Sequence, residues 1–191
     1  MKLTILGTGN AKVTKCYNTC FALNEDKEYF MIDGGGGNTI LKQLEDAGIS
    51  WKEISTIFVT HKHIDHLLGI IWMLRMYCQG MARGQFDSEV TIYGHEPYNE
   101  CEQKYAKNST WLLHEAFCLF SQADKFKPYE KHHSTVKDAC ELAQKLEAEN
   151  LILYHTEDKN ISRRKELYTE EGRQYYKGNL WIPDDLETYK L

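Results

Sequence analysis

The apolar run Ser55-Thr56-Ile57-Phe58-Val59-Thr60 leads without a break into His61-Lys62-His63-Ile64-Asp65-His66, so three of the chain's eight histidines and one aspartate fall within six residues. β-Branched and aromatic residues in series predict a strand, and its continuous apolar character predicts burial on both faces. In a loop leaving a strand, residues two apart project the same way, so His61 and His63 address one point while Asp65 and His66 turn toward a neighbouring one. Two adjacent metal ions are thereby within reach of one loop. Neutral imidazole and carboxylate suit zinc, at bond lengths of about 2.0 to 2.2 Å, and a catalytic zinc keeps one position open for water. That water ionises near pH 7. A polar surface loop that happens to hold histidines leaves the register of four ligand-type residues at a strand end unexplained.

Around this motif the chain alternates strand and helix patterns. Lys2 to Thr8, Thr19 to Leu23 and Tyr29 to Asp33 read as a β-meander closed by Gly34 to Gly37. Asn38 is placed to cap a helix through Ala47, with Gly48 as its stop. Leu67 to Tyr77 reads as a largely buried helix, Glu89 to Tyr93 as a strand, Pro97 to Lys107 as a helix and Thr110 to Leu113 as a strand. Ser134 is the expected cap of a helix to about Glu149, followed by a strand from Leu151 to Tyr154. A charged helix near Arg163 to Tyr176 and a terminal hairpin around Pro183 complete the chain. Strands first, then alternating helices and strands, predict an α/β fold with mixed sheets.

The chain of 191 residues, 42% hydrophobic and 27% charged, has the balance of one soluble globular domain spanning 1–191. A net charge of -5 gives no global attraction to nucleic acid or an anionic membrane. The basic cluster Lys159 to Lys165, with Arg163 and Arg164, reads as a solvated helix face. No stretch of about 18 apolar residues suggests a membrane span, and the opening Met1 to Leu6 is strand-like rather than a signal peptide, so a cytoplasmic location is expected. The six cysteines form no CxxC pair and are read as reduced, structural thiols. Gly7-Thr8-Gly9 after a strand hints at a dinucleotide fingerprint, but Lys12 stands where its third glycine belongs and a meander follows instead of a helix.

His61, His63, Asp65 and His66 match the HxHxDH signature, and here the chain resembles the metallo-β-lactamase superfamily. Gly7-Thr8-Gly9 with Lys15 and Asn18 is similar to the GTG and PxKxRN opening of its ribonuclease Z branch, with Val13 and Tyr17 replacing the proline and arginine. Asp33-Gly34-Gly35-Gly36-Gly37-Asn38-Thr39 resembles that branch's DCGEGT turn, His114-Glu115-Ala116 its HEAT loop and His133-Ser134-Thr135 its HST loop. Leu151 to Thr156 looks like the strand that ends in the last ligand, His155. The resemblance runs from residue 3 to about 156. It implies a shortened αββα sandwich, one metal on His61 and His63, a second on Asp65, His66 and His155, and His133, oriented by Glu115, as proton relay to the leaving group. It implies zinc, with manganese as an alternative, and suggests a homodimer.

The chain departs from that pattern between His66 and Glu115, which are only 49 positions apart. The family places a further histidine and a bridging aspartate there. Gly94-His95-Glu96-Pro97 occupies the aspartate's place but offers a histidine. An internal deletion accounts for this most simply, and His95 is then either a substitute ligand or a residue left at the junction. Histidine does not ordinarily bridge two zincs as a carboxylate does, so even a ligand at His95 predicts a weakened or single-metal site. The same interval lacks the tRNA-binding arm, which favours a small phosphodiester over RNA. The expectation is a zinc-dependent phosphodiesterase of ribonuclease Z type. The alternatives are a non-catalytic metal-binding remnant lacking two ligands, and a hydrolase acting on a lactone, thioester or β-lactam.

Overall fold

A computed structural model describes residues 1–26, 28–94 and 106–191. Their contacts divide them into two compact units. The first comprises Met1–Ala11, the described residues of Cys16–Pro97, and Asp184–Leu191. Its sheet holds β1 (Lys2–Gly7), β2 (Cys20–Glu25), β3 (Glu28–Ile32), β4 (Ile54–Val59), β5 (Thr91–Gly94) and β9 (Thr188–Lys190), in the order β5-β4-β3-β2-β1-β9. The antiparallel β1-β2-β3 pairing is the expected meander, and parallel pairing of β3 with β4 and β4 with β5 makes the sheet mixed. A parallel pair needs a crossover, and α1 (Thr39–Asp46) lies within it, burying Ile40 and Leu44 and stopping before Gly48, whose φ of +69 suits glycine. Asn38 takes helical dihedrals and makes no side-chain cap bond, so the helix begins without the expected cap.

Two further expectations change. Only Ile54 and Ile57 of β4 are buried, because β4 lies one strand from the sheet edge, beside β5, whose four residues are all exposed. The helix after the histidine motif, α2 (Ile64–Ala82), is longer than expected and buried along one side only. Gly69, Ile70, Met73, Tyr77 and Gly80 recur at helical spacing on the core side, whereas Ile71, Leu74 and Met81 face outward. Trp51, Tyr77 and Phe86 pack mutually with centroids 5.2 to 5.6 Å apart and close one end of this core.

The second unit comprises Lys12–Lys15 and the described residues of Tyr98–Pro183. Its parallel sheet has the order β6 (Trp111–Glu115), β7 (Asn150–Tyr154), β8 (Asn179–Trp181). Short helical turns follow β6, and then α3 (Val136–Lys145) and α4 (Arg164–Gly172). The cap of α3 is Thr135 rather than Ser134. Thr135 and Asp138 form a capping box, while the Ser134 N–H is engaged by Glu115. Val136, Ala139, Cys140 and Ala143 of α3 pack with Leu151 and Leu153 of β7 and with Tyr168 and Tyr176. The terminal hairpin does not form: β8 extends the three-stranded sheet and β9 pairs antiparallel with β1. Nor is the basic cluster wholly solvated, since Arg164 is 1% exposed.

His95, Glu96 and Cys101, and nearly all of the helix expected from Pro97, lie outside the described residues. The cysteines Cys20, Cys78, Cys118 and Cys140 are free thiols. Among the described residues no helix is long and apolar enough to cross a membrane.

Candidate functional site

The histidine motif straddles the end of β4 and the first turn of α2. His63 is the N-cap of α2, while Asp65 and His66 lie in its first turn, buried, where the helix dipole favours the Asp65 carboxylate. His61 and His63 are exposed. The rings converge: the His61 centroid is 4.6 Å from that of His63 and 4.1 Å from that of His66.

Behind them stands Asp33, which follows β3 in a left-handed backbone conformation and is 1% exposed. Its Oδ1 accepts the Thr60 N–H at 2.8 Å, and its Oδ2 accepts both the Thr60 hydroxyl at 2.7 Å and His66 Nδ1 at 2.7 Å. A carboxylate can only accept, so His66 carries its proton on Nδ1 and turns Nε2 toward Asp65 Oδ2, 3.5 Å away. The same logic continues outward. The Thr60 hydroxyl donates its hydrogen bond to Asp33, so its oxygen accepts from His61 Nδ1 at 3.0 Å, and His61 Nε2 then accepts from His63 Nδ1 at 3.0 Å. One buried carboxylate thus sets the tautomers of three imidazoles, directly or through Thr60. Carboxylate–histidine pairs of this kind orient metal-ligating imidazoles. The donor set of three imidazoles and a carboxylate fits zinc. Burial, then the neighbouring His66 and His63, lower the pKa of His61 against the opposing pull of Asp33 and Asp65, which keeps it in the neutral, ligand-competent form at pH 7.

The glycine-rich turn locks this loop in place. Gly34 N–H donates to His66 O and Gly69 N–H to Gly35 O, both at 2.8 Å. A Cβ on Gly69 would lie 1.7 Å from Gly34 O, and one on Gly34 2.6 Å from Ile70 N. The buried Tyr17 hydroxyl, at the position where the ribonuclease Z pattern has arginine, is shared between Gly34 O at 2.8 Å and Gly37 O at 2.9 Å.

In the second unit, β6 ends on Glu115 and the loop before α3 presents His133 to it. Glu115 Oε2 accepts His133 Nδ1 at 2.9 Å and Oε1 accepts the Ser134 N–H at 2.8 Å. The Phe117 ring stacks on the His133 imidazole at 4.8 Å and 11°. His155, the first residue after β7, lies with its ring 5.2 Å from that of His133, and Glu115, His133 and His155 offer ligand-type atoms within 4.8 Å of one another. Burial raises the Glu115 carboxyl pKa, but hydrogen bonds from His133 and Ser134, with the charges of His155 and His133, outweigh it and hold the carboxyl below its ordinary value. An ionised Glu115 fixes the Nδ1–H tautomer of His133 and leaves Nε2 to exchange a proton.

Sequence reasoning named the motif residues, His155, Glu115 and His133 individually. It gave no role to Asp33, Thr60, Phe117 or the Ser134 N–H. A carboxylate at a strand end before four glycines was the available signal for Asp33.

The family model described as anti-Pycsar protein Apyc1 matches residues 1–101. The ribonuclease Z of Methanothermobacter thermautotrophicus is 38% identical over 114 residues, which are 59% of this chain and 35% of that protein. The ribonuclease Z of Nitrosopumilus maritimus is 28% identical over 182 residues, 93% of this chain and 58% of that protein. The chain therefore spans between about a third and three fifths of the length of these relatives. Among solved structures, the metallo-β-lactamase fold protein YhfI from Bacillus subtilis superposes with a TM-score of 0.81 at 12% identity, covering 98% of each chain. The short form of human tRNase Z superposes with a TM-score of 0.73 at 16% identity, over 100% of this chain and 99% of that one. The fold is that of the metallo-β-lactamases, and the chain belongs to the anti-Pycsar protein Apyc1 family, within the ribonuclease Z-like branch of the metallo-β-lactamase superfamily.

Proposed function

We propose that the chain is a metal-dependent phosphodiesterase of ribonuclease Z type acting on a small phosphodiester. The observation that carries this reading is the buried Asp33 carboxylate, which holds His66 Nδ1 directly and His61 Nδ1 through Thr60, so that each of these rings keeps its Nε2 lone pair for a ligand. A fold has little reason to bury a carboxylate behind three converging imidazoles unless their outward nitrogens bind something. In this reading His61, His63, Asp65 and His66 hold divalent metal, zinc or manganese, and the family resemblance assigns His155 to the same centre, with His95 a candidate substitute ligand. When bound, the metal supplies Lewis acidity toward a phosphoryl oxygen and lowers the pKa of the attacking water. Asp65, in the first turn of α2, orients that water. His133, held by Glu115, gives a proton from Nε2 to the departing oxygen. The acidic chain favours a small diester over RNA, although the ribonuclease Z relatives keep RNA as the second substrate to test. An anti-Pycsar role, as the matched family's name states, is the setting we propose for this activity, with a cytoplasmic homodimer as the working form.

The test is hydrolysis of bis(p-nitrophenyl) phosphate by the purified chain with zinc or manganese supplied. Metal-dependent turnover that disappears in His63→Ala supports the reading, and absence of turnover with either metal refutes it. The short interval between His66 and Glu115 favours one other reading, a metal-binding remnant without catalysis. Elemental analysis separates the two: a remnant holds at most one ion per chain and turns nothing over.

A further inference from the structure

His155 leaves β7 with φ at +56, a left-handed conformation that residues carrying a Cβ disfavour. Such a residue persists only where its surroundings over-determine it. On the strand side, Tyr154 O accepts Ala116 N–H at 2.8 Å, and beyond the turn Glu157 N–H donates to Phe117 O at 2.8 Å. Thr156 lies between these anchors, 1% exposed, and its Oγ1 accepts Arg164 Nη1 at 2.7 Å. Arg164 Nη2 donates to Pro183 O at 2.8 Å. Arg164 opens α4 and is one of the largest fully buried side chains of the protein.

Burying a guanidinium is costly, and the proton relay does not use this one. Its planar fork reaches two acceptors in fixed directions, which a lysine ammonium on a flexible stem does not reproduce. One arm holds the residue after His155 and the other holds the chain at the end of the unit. We propose that Arg164 is a positioning residue for His155: through Thr156 it fixes the left-handed turn that sets the imidazole beside His133. The proposal rests on the reading of His155 as a metal ligand. Loss of a group that orients a ligand from behind weakens metal binding by about 10- to 100-fold.

The test measures zinc affinity of the full chain by chelator competition, together with the ¹⁵N shifts of the His155 imidazole. Thr156→Val removes the acceptor, Arg164→Lys keeps the charge without the fork, and Thr156→Ser keeps the hydroxyl. Thr156→Val and Arg164→Lys should each weaken zinc about tenfold and move the His155 signals, the double variant should be no weaker than the worse single, and Thr156→Ser should bind as the wild type does. Wild-type affinity and unmoved His155 signals in folded Thr156→Val overturn the proposal, as does equal weakening in Thr156→Ser. If Arg164→Lys does not fold, the two Thr156 variants decide. His155→Ala distinguishes the levels: unchanged zinc affinity there removes the ligand reading and the proposal with it, whereas loss in His155→Ala but none in Thr156→Val removes the positioning role alone.

Discussion

Asp33 Oδ2 and His66 Nδ1 lie 2.7 Å apart with both side chains buried, 33 positions apart in sequence. Asp33→Asn keeps the shape but replaces an ionised acceptor by an amide, whose NH₂ faces His66 or Thr60 if it rotates. Zinc affinity should fall by about 10- to 100-fold, as for other carboxylates standing behind metal-bound histidines. Asp33→Ala should in addition destabilise the fold by about 1–3 kcal/mol, because it strips the partly buried Thr60 N–H of its acceptor. Chelator competition and urea unfolding measure the two effects separately.

Gly69 and Gly34 make a second prediction that needs no metal. The atom nearest to an added Gly69 Cβ is a backbone oxygen, so relief requires moving α2 away from the turn and breaking the two hydrogen bonds that join them. Gly69→Ala should cost at least about 1–3 kcal/mol of stability by overpacking. Gly37, where a Cβ meets nothing within 4 Å, is the control, and Gly37→Ala should stay within about 0.5 kcal/mol of the wild type.

The depressed Glu115 pKa fixes the sign of a pH effect. The unfolded chain holds the proton near the ordinary value of 4.5 and the folded chain only at lower pH. The stabilisation is therefore complete above the ordinary value and is lost as pH falls through the folded value. Glu115→Gln removes this component. Thermal unfolding midpoints of wild type and variant should differ most at neutral pH and converge as the pH falls below 4.5. A constant difference across that range would mean that the His133 and Ser134 contacts do not depend on the charge of Glu115.

What could be read from the sequence follows from how local each signal is. The histidine motif needs only its own six residues and the strand before them, and β1 to β3 announce themselves by alternation and glycine stops. The Asp33–His66 pair depends on β3 and β4 lying side by side, which no local pattern states. Residue type misled at Arg164, because a charged side chain beside Lys159 and Lys165 reads as solvated unless its buried acceptors, Thr156 and Pro183 O, are known. For α2, apolar composition overstated burial, since Ile71, Leu74 and Met81 fall on the outward side of a helix whose core side is set by Gly69, Met73 and Tyr77. Ser134 and Thr135 are equally good caps by type. Glu115 settles the choice by taking the Ser134 N–H.

The proposed role of His133 makes the size of its effect depend on the leaving group. General acid catalysis contributes about 10²- to 10⁴-fold where the departing oxygen is basic. A nitrophenolate leaves without needing a proton, whereas an alkoxide does not. His133→Ala should therefore reduce turnover of an alkyl phosphodiester by about 10²-fold or more while reducing that of bis(p-nitrophenyl) phosphate much less. Glu115→Gln should fall between, because it leaves the imidazole in place but replaces the carboxylate that accepts His133 Nδ1 with a neutral amide. Equal losses on both substrates would assign His133 to binding rather than to proton transfer. Phe117→Leu separates geometry from charge: it removes the ring stacked at 4.8 Å while leaving Glu115 and His133 intact, so a defect confined to the alkyl diester there would show that ring orientation limits the proton step.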